Sequence, residues 1–270
     1  MTIDNATVCD STISNQLIEN RTISGLSSSE SVSPIILSVS SDNSSDNYSV
    51  GSNISVTVTF NESVFVDNST GNPRIELETG STDDNATYIS GNSSSVLKFI
   101  YTVGSGDNSD NLSYKSTSSL SANGGTIRDN SSNDATLTLP SPGSTDSLGA
   151  NRTIVIDTTA PTVTFNPANG DTGFSVSGDI LITFNEPVLH INNNGALTGN
   201  IHALIILRYD DTDGANISKG ATYNNKVITI SPSSDLDKGE DVYVYIGQTV
   251  EDHSGNKIPA STATFTTTNE

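Results

Sequence analysis

The sequence predicts an all-β protein: two tandem β-sandwich domains preceded by an extended N-terminal segment. Three observations carry this. First, short signals recur in the same order at an interval of about 124 residues, the distance from Phe60 to Phe184. Phe60-Asn61-Glu62-Ser63-Val64 returns as Phe184-Asn185-Glu186-Pro187-Val188. Arg128-Asp129-Asn130-Ser131-Ser132-Asn133 returns, one residue out of step, as Glu251-Asp252-His253-Ser254-Gly255-Asn256. A unit that long closes its own core, so the period means tandem domains. Second, the apolar residues gather in short alternating runs separated by Gly, Asn, Asp and Ser clusters, the pattern of half-buried strands and turns. Third, helical periodicity is almost absent.

The predicted boundaries are 1–32 for the extended segment, 33–157 for the first domain and 158–270 for the second. In the first domain, Ile35-Ile36-Leu37-Ser38-Val39 reads as the opening strand. Ser55-Val56-Thr57-Val58-Thr59-Phe60 then alternates with the period of two that marks a strand buried on one face. Arg74–Glu78, Ala86–Ile89 and Val96–Tyr101 continue the pattern, and Thr153–Ile156 closes the domain. The second domain opens with Thr162–Phe165 and runs through Ile180–Phe184 and Val227–Ile230 to Val242–Ile246 and Thr262–Phe265. Ala86-Thr87-Tyr88 has a counterpart in Ala221-Thr222-Tyr223, displaced by an insertion around His190–Asp213. Within it, Ala203–Leu207 suits a short helix or a buried strand equally. Several short strands at near-regular spacing argue for sandwiches.

Asp157-Thr158-Thr159-Ala160-Pro161, Phe184-Asn185-Glu186-Pro187-Val188 and the Asp252–Asn256 loop, taken together, resemble the bacterial immunoglobulin-like (cadherin-like) tandem repeats of large surface proteins and adhesins. The resemblance covers roughly residues 33–270. The first copy departs from the pattern, with Ser63 for Pro and Ser132 for Gly. It implies immunoglobulin-like sandwiches serving as spacers, stalks or binding tips, with catalysis rare.

The N-terminal segment carries a weak echo of a repeat end. Asn5-Ala6-Thr7-Val8 followed by Asn20-Arg21-Thr22-Ile23 resembles Asp134-Ala135-Thr136-Leu137 followed by Asn151-Arg152-Thr153-Ile154. Read literally, residues 1–32 hold an orphan last strand, able to add to an open sheet edge of a neighbouring molecule. The alternative is a flexible leader.

The chain holds 31 acidic against 11 basic residues, a formal charge of −20, which argues against nucleic acid or an anionic membrane as partner. Cys9 is the only cysteine, so no disulfide forms within the chain; it reads as an inert thiol or an intermolecular cross-link. No apolar run is long enough for a membrane span, and Met1–Asp10 lacks the basic and apolar regions of a signal peptide.

No catalytic motif assembles. His190, His202 and His253 sit in different segments without a nucleophile motif beside them. Strand direction gives a better site. In an immunoglobulin-like sandwich the first strand leaves the linker and the second returns to it, so Glu186 at the end of the second strand lies at the linker pole. The loop before the last strand lies there too. Asp157, Glu186, Asp252 and Asn256 are therefore expected to converge. By the same geometry Glu62, Asp129 and Asn133 converge at the free end of the first domain. Such oxygen-only sets suit Ca²⁺, and a bound Ca²⁺ would stiffen the joint. The alternative is that these side chains cap turns through backbone amides, without metal.

Asn-x-Ser/Thr glycosylation signals occur at Asn5, Asn20, Asn43, Asn47, Asn53, Asn61, Asn68, Asn85, Asn92, Asn111, Asn130, Asn151 and Asn216. Twelve of these thirteen precede residue 157, where composition alone gives roughly six. The excess points to a glycan-coated first domain or to composition.

Together these features describe a non-catalytic extracellular structural protein on a cell or particle surface. It reads as a spacer, an adhesin segment or a subunit of a filament or layer, with copies of itself or neighbouring repeats as partners. Donor-strand addition would assemble it and Ca²⁺ would stiffen it. The alternative is a module that binds glycans or proteins at an adhesin tip or beside a secreted enzyme, using the His190–Asp213 insertion or the end loops.

Overall fold

The computed structural model describes residues 32–191, 195 and 197–269. Cys9, Asn5, Asn20 and nearly all of the expected donor segment lie outside the described residues. The first half contributes β1 (Ile36–Ser41), β2 (Asn47–Tyr48), β3 (Asn53–Asp67), β4 (Arg74–Glu78), β5 (Asp84–Ser90) and β6 (Ser94–Thr102). After these come β7 (Asn108–Ser109), β8 (Ser113–Tyr114), β9 (Leu120–Ser121), β10 (Thr126–Arg128), a single helical turn α1 (Leu148–Asn151) and β11 (Val155–Asp157).

Alternation decides how these strands pack. On β3, Ile54, Val56, Val58 and Phe60 are buried, while Asn53 and Asn61 stay exposed. β3 pairs antiparallel with β1 on one side and β6 on the other, within the sheet order β1-β3-β6-β5-β4-β8. A second, smaller sheet, β2-β11-β7, brings Ile156 against that face, with Ile154 beside it. The resulting core runs from Val39 to Ile156 and contains Phe99, Tyr101, Tyr114 and Leu148. Tyr101 satisfies its buried hydroxyl by donating to Asp107 Oδ2 at 2.6 Å. Burial, and then that carboxylate, push its phenol well above the ordinary range. Burial alone pushes the Tyr114 phenol up to about 12.

The second half contributes β12 (Val163–Asn166), β13 (Thr172–Phe174), β14 (Ile180–Phe184), β15 (Leu189–His190) and a 3-10 turn (Ile201–Leu204). These are followed by β16 (Ile205–Tyr209), β17 (Lys219–Asn224), β18 (Val227–Pro232), β19 (Asp241–Ile246), β20 (Val250–Glu251) and β21 (Ser261–Thr267). Two four-stranded sheets, β12-β14-β18-β17 and β13-β21-β19-β16, face each other. Ile180, Ile182 and Phe184 from one sheet share a core with Val244, Ala263 and Phe265 from the other. Phe174 stands edge-on to Phe265, ring centroids 4.9 Å apart. The ambiguous Ala203–Leu207 run divides: its start completes the 3-10 turn, and its end enters β16, paired with β19. The chain is all-β, as its alternation predicts. Among the described residues no helix is long and apolar enough to cross a membrane.

The copies differ where their sequences do. β3 continues through Asn61-Glu62-Ser63 to Asp67 and there pairs with β10. Its counterpart β14 stops at Phe184, and pairing resumes only in β15, against β20. Pro187 has no N–H to give to a ladder, so the second copy breaks where Ser63 lets the first run on.

Candidate metal centre at the joint

The linker is held from both sides. Asp157 ends β11, and the two residues after it are fastened to the first sandwich. Thr158 N–H and Thr159 Oγ1–H both donate to Asn108 Oδ1, at 3.0 and 3.1 Å. Gly106 N–H donates to Thr158 Oγ1 at 3.0 Å. Asp157 itself is gripped by the second sandwich: Ser254 Oγ–H donates to its Oδ2 at 3.1 Å, and Asn256 Nδ2–H to its backbone carbonyl at 2.9 Å. Asn47 on β2 reaches across the joint to Ser254 Oγ at 3.3 Å. A cleft of about 410 Å³ beside this contact is lined by Asp46, Asn47, Leu189, His253, Ser254 and Gly255.

The Asp252–Asn256 loop owes its shape to its own side chains. Asp252, only 2% exposed, accepts at Oδ1 from the backbone amides of Ser254 (2.8 Å) and Asn256 (2.9 Å). Its Oδ2 accepts from Asn256 Nδ2 at 2.9 Å. These amides compensate a buried carboxylate that would otherwise be costly. Gly255 sits at φ 89°, where a side chain is disfavoured.

Glu186 arrives in the bend that follows β14. Asn185 just before it locks the corner: Thr162 N–H donates to Asn185 Oδ1 at 2.7 Å, and Asn185 N–H returns a bond to Thr162 O at 3.2 Å. Lys226 Nζ donates to Asn185 O at 2.9 Å. Asp157, Glu186 and Asp252 then each offer a carboxylate oxygen, all within 4.8 Å of one another. Burial first, and the Asp252 and Asp157 charges next, raise the Glu186 carboxyl above its usual range. Oxygens sharing one Ca²⁺ at about 2.3–2.6 Å stand no further apart than roughly twice that distance, so the spacing fits a hard divalent cation. The set contains no sulfur or imidazole, which argues against softer metals.

The outer pole of the first sandwich repeats these parts. Asn133 N–H donates to Asp129 Oδ1 at 2.8 Å and its Nδ2–H to Oδ2 at 2.6 Å. Ile35 N–H donates to Asn61 Oδ1 at 2.7 Å, with Asn61 N–H returning to Ile35 O at 3.0 Å. Ser132 takes the left-handed position of Gly255, at φ 69°. Burial pushes the Asp129 carboxyl up, but hydrogen bonds from the Asn133 side chain, the Asn133 amide and the Ser131 amide outweigh it and hold it low. Among the described residues, Glu62 and Asp129 are not joined by a third metal-capable group.

The histidines lie in three different segments: His190 contacts Thr198 O through Nε2 at 3.2 Å, His202 lies in the 3-10 turn and His253 in the joint loop. The glycosylation signals divide by what their amides do. Asn43, Asn111 and Asn151 spend Nδ2 on the carbonyls of Asn53 (3.0 Å), Gly149 (2.8 Å) and Val39 (2.8 Å). Asn53, Asn92 and Asn216 instead accept through Oδ1, from Thr102, Val66 and Arg208. Sequence reasoning missed Asn108 and Ser254. Ser254 had a signal, its duplication as Ser131; Asn108 had none, because its role depends on where the linker passes.

The model of the bacterial Ig-like domain family matches residues 157–267, from the linker carboxylate to the end of β21. The family resemblance carried by the motifs thus holds for the second copy. No curated protein matches the chain. Among solved structures it is similar to a biofilm-associated protein BSP domain, with 9% identity, a TM-score of 0.23, and coverage of 86% of this chain and 30% of that one. The chain therefore spans under a third of that structure's length.

Proposed function

We propose that this chain is a non-catalytic structural module of an extracellular surface, a spacer or adhesin segment or a subunit of a filament or layer. Its two sandwiches are held in line by a joint that binds Ca²⁺. The family match to a bacterial Ig-like domain supports the class of protein. The observation that carries the mechanism is the convergence of Asp157, Glu186 and Asp252 from the linker and two separate loops. Carboxylates crowded this closely repel one another, and burial, with the Asp252 and Asp157 charges after it, raises the Glu186 carboxyl. A divalent cation converts that repulsion into a cross-link between the linker and the second sandwich.

Melting with Ca²⁺ and with EDTA tests the joint. The expected result is a higher midpoint for the second sandwich in Ca²⁺; an unchanged midpoint would sink the calcium reading. Residues 1–32, added as a strand to a neighbouring sheet edge, would join such modules into an open filament. Deleting residues 1–25 is then expected to abolish polymerisation, and filaments that persist would rule strand donation out.

A further inference from the structure

We infer that the outer pole of the first sandwich is a glycan-bearing face, with N-linked oligosaccharide on Asn61 and Asn130. The inference rests on the extracellular reading above and goes beyond it by choosing among the thirteen signals.

The argument compares two copies of one pole. Both carry the asparagine lock (Asn61, Asn185), the capped turn (Asp129, Asp252) and the asparagine that closes it (Asn133, Asn256). They differ at the positions that make an acceptor signal. Asn61-Glu62-Ser63 becomes Asn185-Glu186-Pro187, and Asn130-Ser131-Ser132 becomes His253-Ser254-Gly255. Each change in the second copy destroys a signal: one loses its hydroxyl residue, the other both its asparagine and its hydroxyl residue.

The second copy is also the one packed in a joint. His253, the counterpart of Asn130, lines the cleft against Asp46 and Asn47. An oligosaccharide there would have to share that cleft with the first sandwich. At the outer pole, Asn61, Ser63, Asn130 and Ser132 are all exposed, as are their counterparts Asn185, Pro187, His253 and Gly255, so the neighbouring sandwich and not exposure separates the two poles. The Ile35 N–H engages Asn61 through Oδ1 and not through Nδ2. Asn111 and Asn151 present the opposite case, because their Nδ2 hydrogens are donated to backbone carbonyls at 2.8 Å. A sugar on either nitrogen would take one of its two hydrogens and leave the single remaining N–H to hold that contact, which restricts the direction the sugar can take.

The reaction joins Nδ2 to the anomeric carbon of a sugar carried on a lipid pyrophosphate. The lipid pyrophosphate leaves, Nδ2 gives up one proton, and nothing is oxidised or reduced. Once attached at Asn130, the oligosaccharide occupies the place that the first sandwich takes on the second. It thereby bars a second copy from docking on this pole in the same way.

Intact-mass measurement and glycopeptide mapping of protein purified from the cells that make it test the inference. Sugar mass is expected on the peptides bearing Asn61 and Asn130, and none on those bearing Asn111 and Asn151. Ser63→Ala is expected to remove the Asn61 glycan alone, and Ser132→Gly the Asn130 glycan alone. Ser132→Gly supplies the residue that the second copy uses in the same left-handed backbone region, so a lost glycan cannot be put down to a collapsed loop. Unmodified Asn61 or Asn130, or equal occupancy at Asn111 or Asn151, overturns the inference. A protein wholly without glycan overturns it too, and leaves the calcium joint to be judged by its own melting experiment.

Discussion

Asn256 donates its side-chain amide to the backbone carbonyl of Asp157 across 99 residues of sequence, at 2.9 Å. The same nitrogen donates to the buried Asp252 carboxylate at 2.9 Å. One side chain therefore both shapes the loop of the second sandwich and ties that loop to the linker.

Asn256→Ala removes both contacts and leaves part of a buried carboxylate without a donor. The expected loss is about 2 kcal/mol, or on the order of 10 °C in the midpoint of a domain of this size. Calorimetry checks this, and small-angle scattering should show a wider spread of angles between the sandwiches. A midpoint within a degree of the parent would contradict the role given to Asn256.

The pH response follows from Glu186. Its carboxyl is raised in the folded protein, so the folded state binds this proton more tightly than the unfolded chain does. Without a divalent cation, the ionised form opposes folding at neutral pH. Stability of the second sandwich should then rise as pH falls from neutral towards the ordinary glutamate value of 4.5. With Ca²⁺ the trend reverses, because the cation binds the ionised form and is lost on protonation. Glu186→Gln should flatten the first trend, raise the midpoint in EDTA and remove the response to Ca²⁺. Melting curves across this range, with and without the cation, separate these outcomes.

The two cores share no member, one running from Val39 to Ile156 and the other from Ile180 to Phe265. Phe265→Ala empties a site that is 1% exposed and removes the edge contact with Phe174. A loss of about 4 kcal/mol is expected in the second sandwich alone. Calorimetry should show one transition moving down and the other staying; a single transition that moves as a whole would contradict independent cores.

Much of the fold was legible because period two survives wherever one face of a strand meets a core. Ser55–Phe60 and Val242–Ile246 announce β3 and β19 by alternation alone. The interruption of the second copy has a local cause in Pro187, which cannot serve a ladder, but it shows only in where β14 stops. The length of β3 beyond Phe60 was not legible, because its continuation depends on β10, some sixty residues away in sequence. Duplication points to Glu186, Asp252 and Asn256, but it does not separate turn-capping from cation binding. The two roles use the same oxygens.

Sequence alone determined that the chain is all-β, that its motifs occur twice, and which residue types stand at each pole. These are local properties, carried by periodicity, by proline and by the hydrogen-bonding capacity of Asp and Asn. Tertiary structure decided which of those residues meet. Only when β11 delivers Asp157 between Asn108 of one sandwich and Asn256 of the other does a linker become a joint. Only then do three carboxylates, 95 residues apart from Asp157 to Asp252, share one small volume. The physical reason is that electrostatic and hydrogen-bond energies depend on distance in space, which strand pairing sets and sequence separation does not.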